Sequence, residues 1–133
     1  MSCLLRISGE SLDIETALST CTVQPYLIWK KGEPRPLEGK THRDSGANFA
    51  ASEADFDELP LQLAEATIFL ETHASALARL VATPGVQSAT LDLGLAFQEG
   101  NIAQSLHFPS TFINLAARIG IALNMSQYAC TGD

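Results

Sequence analysis

The sequence predicts an α+β fold: a single mostly antiparallel sheet of four to six strands, with helices packed on one face. Residues 61–83 contain neither Gly nor Pro, and apolar side chains recur there at every third or fourth position, the period of a helix face. Residues 89–98 alternate apolar with polar or small side chains, the period of a strand with one buried face. The 133 residues show no internal repeat, so one domain spanning residues 1–133 is expected.

The first half of the chain is expected to contribute three strands and one short helix. Residues 3–7 and 26–29 are rich in strand-forming side chains. Between them, Ser11 is placed to cap a helix that ends near Thr20. Residues 47–51 are predicted to form a third strand, which pairs back on the second.

Residues 30–46 differ in character from the segments on either side. They hold five of the eight basic residues, three Gly and two Pro, with Leu37 as the only large apolar side chain. A segment of this composition cannot bury itself, so it is predicted to be a long, exposed connection between two strands.

The helical stretch at residues 61–83 is bounded by Pro60 and Pro84, which suit the start and the end of a helix. Thr72 lies in its middle and is able to cap a second helix. The stretch is therefore predicted to be either one helix or two helices with a bend at residues 71–73.

The last third of the chain is predicted to hold a strand, a hairpin partner, a helix and a final strand. The strand at residues 89–98 is followed by a turn at 99–101, and residues 102–107 are expected to return beside it. Residues 111–119 have helical periodicity and stop at a glycine. Residues 121–126 alternate again and are predicted to form the last strand, after which the chain leaves the sheet.

Composition and charge limit the classes of function. The apolar fraction of 46% and the charged fraction of 17% are typical of a soluble globular protein, and no window is apolar enough to cross a membrane. The N-terminus lacks the features of a secretory signal, so a cytoplasmic location is expected. The net charge of −7 argues against general nucleic-acid binding and is compatible with a basic protein as partner.

The sequence offers little evidence of catalysis. Its three cysteines, Cys3, Cys21 and Cys130, are scattered, which favours reduced thiols over a disulfide framework or a zinc site. No phosphate loop, nucleophile elbow or metalloprotease motif is present. No catalytic residue, metal or cofactor is therefore predicted.

Two groups of residues are candidates for binding. An acidic patch precedes the long helix and consists of Glu53, Asp55, Asp57 and Glu58. The first three are candidates to contact a basic partner; the alternative is that the patch complements the positive N-terminal end of that helix. The second group combines an aromatic ring with cations: Trp29, Lys30, Lys31, His42 and Arg43. Such a group is suited to an anionic ligand or an acidic peptide. The alternative is that Trp29 is a core strand residue and that the cations belong to a solvated loop.

Several short motifs are distributed over nearly the whole chain: residues 5–9, Pro25, residues 29–33, Ser45 followed by Gly46, and residues 115–128. In these motifs the sequence resembles a bacterial family of small domains of unknown function, family 4279. The resemblance implies a small cytoplasmic α+β protein with an interaction role such as toxin immunity. It implies no catalytic residues.

These observations lead to three hypotheses of function. The first is a non-enzymatic protein-interaction module, such as an immunity-type inhibitor of a basic partner. The alternative is a binder of small anionic ligands, or an enzyme, with a site between the sheet and residues 30–46. A homodimer with a purely structural role is a third alternative.

Overall fold

The computed structural model describes residues 1–36, 39–98, 100 and 102–130. Within them the strands are β1 (Cys3–Gly9), β2 (Leu27–Trp29), β3 (Ser45–Ser52), β4 (Ser88–Gln98) and β5 (Ala122–Cys130). The helices are α1 (Ile14–Ser19), α2 (Leu59–Thr72), α3 (Ala74–Val81) and α4 (Ser110–Ile119). The strands form one open sheet in the order β2-β3-β1-β4-β5, antiparallel except for the parallel pair β4-β5. The predicted α+β class with a mostly antiparallel sheet is confirmed.

Alternating side chains divide the sheet into a core face and an outer face. On β1, Leu5 and Ile7 are fully buried, and they join the buried side chains of all four helices in one hydrophobic core. Arg6 lies on the opposite, outer face together with its cross-strand partners Asn48 and Thr90. The helices therefore form a layer on one face only, as the sequence predicted.

The long helical stretch is two helices, which confirms the second of the two alternatives. α2 ends at Thr72 and α3 begins at Ala74, with His73 between them at φ −110° and ψ 15°, outside the helical range. The His73 N–H still donates to the Phe69 carbonyl at 3.1 Å, and the His73 carbonyl accepts from the Leu77 N–H at 2.9 Å. His73 is therefore a cap shared by both helices, and Thr72 does not cap α3.

The predicted hairpin partner at residues 102–107 is wrong, because these residues form no strand. Both edges of β4 are already occupied, by β1 on one side and by β5 on the other. The chain reaches β5 through α4 instead, which is the kind of crossover that a parallel pair requires. The predicted turn at residues 99–101 includes Glu99 and Asn101, which lie outside the described residues.

The end of the chain differs in length from the prediction. α4 stops at Gly120, whose φ of 98° is the left-handed conformation that favours glycine, as expected. β5 then continues to Cys130 rather than ending at residue 126, because its pairing with β4 extends along the whole strand to Gln98.

The start of α1 also differs from the prediction. Asp13, and not Ser11, is the N-cap: its Oδ1 accepts a hydrogen bond from the Thr16 N–H at 3.2 Å, and its Oδ2 accepts from the Thr16 hydroxyl at 2.7 Å. These hydrogen bonds lower the pKa of the Asp13 carboxyl. Asp and Ser are equally good N-caps, so the identity of the residue alone does not decide between the two positions.

Two expectations from composition concern the thiols and the membrane. Cys3 and Cys21 carry free thiols, and burial raises the pKa of the Cys3 thiol to about 12, which leaves too little thiolate for a nucleophile. Among the described helices, none combines the length and the apolar character that crossing a membrane requires.

Candidate functional site

A row of paired side chains crosses the outer face near β2. Leu27 pairs with Asn48 and Asn48 pairs with Arg6, so the three stand side by side on β2, β3 and β1. Trp29 pairs with Gly46 further along the same two strands. A Cβ on Gly46 would lie 2.4 Å from Trp29 Cζ2, so the missing side chain makes room for the indole to lie on the sheet.

Trp29 is buried by polar and cationic neighbours rather than by the main hydrophobic core. Its Nε1–H donates to Asp44 Oδ1 at 2.9 Å, and the guanidinium carbon of Arg6 lies 4.6 Å from the centre of its ring. The His42 imidazole stacks beside it, with ring centroids 6.2 Å apart. Trp29 is thus a buried strand residue, but it belongs to the outer face and has a cation over its ring.

The connection between β2 and β3 folds back on itself as a narrow loop. Pro34 and Thr41 form an isolated bridge. The Gly32 N–H donates to the His42 carbonyl at 2.9 Å, and the His42 N–H donates to the Glu33 carbonyl at 2.9 Å. Backbone hydrogen bonds of this kind fix the described part of the loop beside the outer face. Leu37 and Glu38 lie outside the described residues.

A cavity of about 260 Å³ lies between the outer face and this loop. Its walls are the row on the sheet, Trp29 and four residues of the loop: Arg35, His42, Arg43 and Asp44. With Arg6 from the row, three arginines and one aspartate face the same space. We call it the arginine cavity.

The structure brings together three of the five residues in the predicted aromatic and cationic group. Trp29, His42 and Arg43 line the arginine cavity, whereas Lys30 and Lys31 do not. Lys30 Nζ is hydrogen-bonded to the carboxylate of Glu15, and this bond raises the pKa of Lys30. Its charge is therefore directed to α1 and not to the cavity.

Five described lining residues of the cavity lie outside the predicted group, and two of them, Arg6 and Arg35, are arginines. The alternation of β1 places Arg6 on the polar face of a strand, but only the register with β3 shows that it stands beside Asn48. Arg35 lies in the connection that the sequence marked as basic, and the backbone bond from its N–H to the Lys40 carbonyl, 2.7 Å long, helps to orient it.

Residues 53–58, which we call the acidic segment, connect β3 to α2 and are fixed at their start by Glu65. Its Oε1 accepts hydrogen bonds from the Ser52 hydroxyl at 2.7 Å and from the Glu53 N–H at 3.2 Å. Gln62 fixes the middle of the segment, since its Nε2 donates to the carbonyl of Asp55 at 3.1 Å. The same Nε2 also donates to a carbonyl of β4, that of Gly94, at 2.8 Å.

The carboxylates of the acidic segment are crowded and exposed. One oxygen each of Asp55, Asp57 and Glu58 lies within 4.8 Å of the others. Glu58 is the N-cap residue of α2, but its side chain accepts from the Asp55 N–H at 3.3 Å instead of capping the helix. Three exposed carboxylates fall short of the roughly six to eight oxygen ligands that Ca²⁺ takes, so we assign no metal to them.

An apolar groove of about 740 Å³ begins next to the acidic segment and runs between α2 and residues 104–109. The residues of α2 along it are mainly apolar: Leu59, Pro60, Leu63, Ala64, Thr67 and Ile68. Asp57 lines its end, and it is the only described lining residue that carries a charge when His107 is neutral. We call this feature the groove.

The fold defines the class of protein: a small α+β domain with one sheet and with helices on one of its faces. Within that class, the chain belongs to a family of unknown function, since the family model described as Domain of unknown function (DUF4279) matches residues 1–130. The match covers nearly the whole chain, as the short motifs indicated. No curated protein and no solved structure matches this chain.

Proposed function

We propose that this protein is a non-enzymatic binding domain that holds a partner protein through the groove and the acidic segment. The observation that carries the proposal is the position of Asp57, a lone charge among the described residues that line a mainly apolar groove. A partner segment that fits this lining carries apolar side chains next to a lysine or an arginine. An immunity-type inhibitor that covers a basic partner is one form of such a protein.

The crowded carboxylates support a cationic partner. Asp55, Asp57 and Glu58 repel one another at the distances seen here, and a lysine or arginine placed among them relieves that repulsion. The net charge of −7 extends the attraction beyond contact range, which speeds the encounter with a basic protein. Charge thus supplies selectivity for a basic partner and speeds its association.

The apolar surface supports a protein partner rather than a free ion. Ile68 lines the groove and is 63% exposed, and it lies there among other apolar residues of α2, including Pro60 and Leu63. Apolar side chains grouped around a concave surface are typical of contact sites, whereas scattered ones are ordinary. Burial of this surface is expected to supply most of the affinity.

Random peptides displayed on phage test the proposal with a defined probe. We expect the selected peptides to combine apolar residues with Lys or Arg. Ala64→Trp fills the groove from an exposed position of α2, so it should weaken their binding about ten-fold or more, a loss of about 1.4 kcal/mol. Asp57→Asn should weaken peptide binding less than Ala64→Trp does, and its effect on the affinity should shrink at high salt.

The matched control is Ala117→Trp, the same substitution at an exposed position of α4 outside the groove. It should leave peptide binding unchanged. Selection of peptides without basic residues, or equal loss of binding in the two tryptophan variants, would count against the proposal.

A further inference from the structure

We infer that the arginine cavity binds a small organic anion, a carboxylate or a phosphate ester that also carries a hydroxyl or amine donor. The cavity and the groove have no lining residue in common, so this inference does not depend on the proposed protein partner.

The charges around the cavity favour an anion. Among the described lining residues, the guanidinium groups of Arg6 and Arg43 face it together with one carboxylate, that of Asp44, which already accepts a hydrogen bond from the Trp29 indole at 2.9 Å. Among the described residues, no carboxylate lies within 4.0 Å of the guanidinium of Arg6 or Arg43. The planar fork of a guanidinium matches carboxylate and phosphate groups with two parallel hydrogen bonds.

A buried acceptor indicates what else the ligand carries. Asn48 Oδ1 is shielded from solvent and has no hydrogen-bond partner within the described part of the chain. Buried polar atoms are nearly always paired, and Asn48 lies in the lining of the cavity. A hydroxyl or amine hydrogen on the ligand satisfies this oxygen while the anionic group contacts the arginines.

The size of the cavity favours a small compound over an acidic peptide. Its volume of about 260 Å³ lies below the range of about 300–1,000 Å³ that is usual for drug-sized ligands. Hydrogen bonds hold the described part of the loop in place before any ligand binds, including the one from the Lys31 N–H to Ser45 Oγ at 2.9 Å. The arginines therefore need little rearrangement, which limits the entropic cost of binding.

Trp29 is the one tryptophan of the chain, so its fluorescence reports directly on the cavity. We expect a saturable change in this fluorescence with malate or with glycerol 3-phosphate. The compound that binds shows whether the anionic group of the ligand is a carboxylate or a phosphate. The matched compounds that lack the donor, succinate and n-propyl phosphate, should bind about five-fold or more weakly than malate and glycerol 3-phosphate, because Asn48 Oδ1 then stays unpaired.

Arg43→Gln should weaken binding of the same compound about ten-fold or more, since it removes a charge-assisted contact. Lys31→Gln removes an equal charge from the same loop outside the cavity and should change the affinity less than about two-fold. Both positions are exposed, and thermal melts verify that the variants fold.

Three results would overturn the inference. The first is the absence of a saturable change with all four compounds, checked by the NMR signal of the Trp29 indole N–H. The second is equal weakening in Arg43→Gln and Lys31→Gln, which indicates unspecific attraction. The third is that malate binds no more tightly than succinate, and glycerol 3-phosphate no more tightly than its matched phosphate. This result would show that Asn48 Oδ1 takes no part in binding.

Discussion

Gln62 is a fully buried polar side chain that links three parts of the molecule. It projects from α2, and its Nε2 donates to the carbonyls of Asp55 in the acidic segment and Gly94 in β4. Its own Oε1 has no partner among the described residues, so the side chain is held by what it donates. Because the Asp55 carbonyl is one of these contacts, Gln62 positions the backbone of the acidic segment.

Gln62→Leu should lower the free energy of unfolding by about 1–3 kcal/mol, because the Gly94 and Asp55 carbonyls lose their hydrogen bonds from Gln62, the first of them buried, while the side-chain volume is kept. Denaturant unfolding measures this loss, and Gln24→Leu at an exposed position serves as the control. Amide hydrogen exchange at residues 55–58 should also become faster in the Gln62 variant only. An unchanged or higher stability of that variant would show that the unpaired Oε1 outweighs the two bonds.

At the scale of elements, β3 supports the arginine cavity through Gly46. A Cβ at this position would lie 2.4 Å from both the Ile7 carbonyl oxygen and Trp29 Cζ2. One of these contacts is with the backbone of β1, which cannot move without disturbing the pairing of β1 with β3. The glycine therefore allows the close strand spacing and the position of the indole at the same time.

Gly46→Ala should destabilise the protein by about 2–4 kcal/mol and shift the Trp29 fluorescence, because the added methyl group overpacks the strand pair. The comparison is Gly32→Ala in the loop, where a Cβ meets nothing within 4 Å. The φ of 89° at Gly32 costs only about 1–2 kcal/mol for an L-residue. The melting temperature of the Gly32 variant should therefore fall less than that of the Gly46 variant. A larger loss in the Gly32 variant would contradict this explanation.

Elements defined by local periodicity were predictable, and features set by distant pairing were not. β4 and α4 follow their own alternation and helical period, and the bend between α2 and α3 was one of two stated alternatives. The wrong hairpin at residues 102–107 has a tertiary cause, since β1 and β5 take both edges of β4. Distant pairing also limited what could be predicted of the candidate sites. Trp29 and Arg43 are neighbours of a basic run, but Arg6 joins them only through the register of β1 with β3.

At the scale of the whole molecule, charges of opposite sign are separated. Three of the eight Lys and Arg residues line the arginine cavity, while Asp55, Asp57 and Glu58 gather at the acidic segment. The arginine cavity thus gathers cationic side chains in a protein whose net charge is −7. The proposed anion site and the proposed partner site therefore have no described lining residue in common.

The association rate of a selected peptide tests the central claim, binding of a basic segment at the groove, most directly. Stopped-flow measurements at increasing salt should show steep slowing for the wild-type protein, because exposed charges are screened over about 8–10 Å. Asp55→Lys combined with Asp57→Lys should slow association about ten-fold or more at low salt. Lys31→Glu combined with Lys40→Glu, the opposite reversal on the loop, should leave the rate intact or raise it. If the acidic reversal leaves the rate unchanged while the lysine reversal abolishes binding, the acidic segment and the groove are not the binding site.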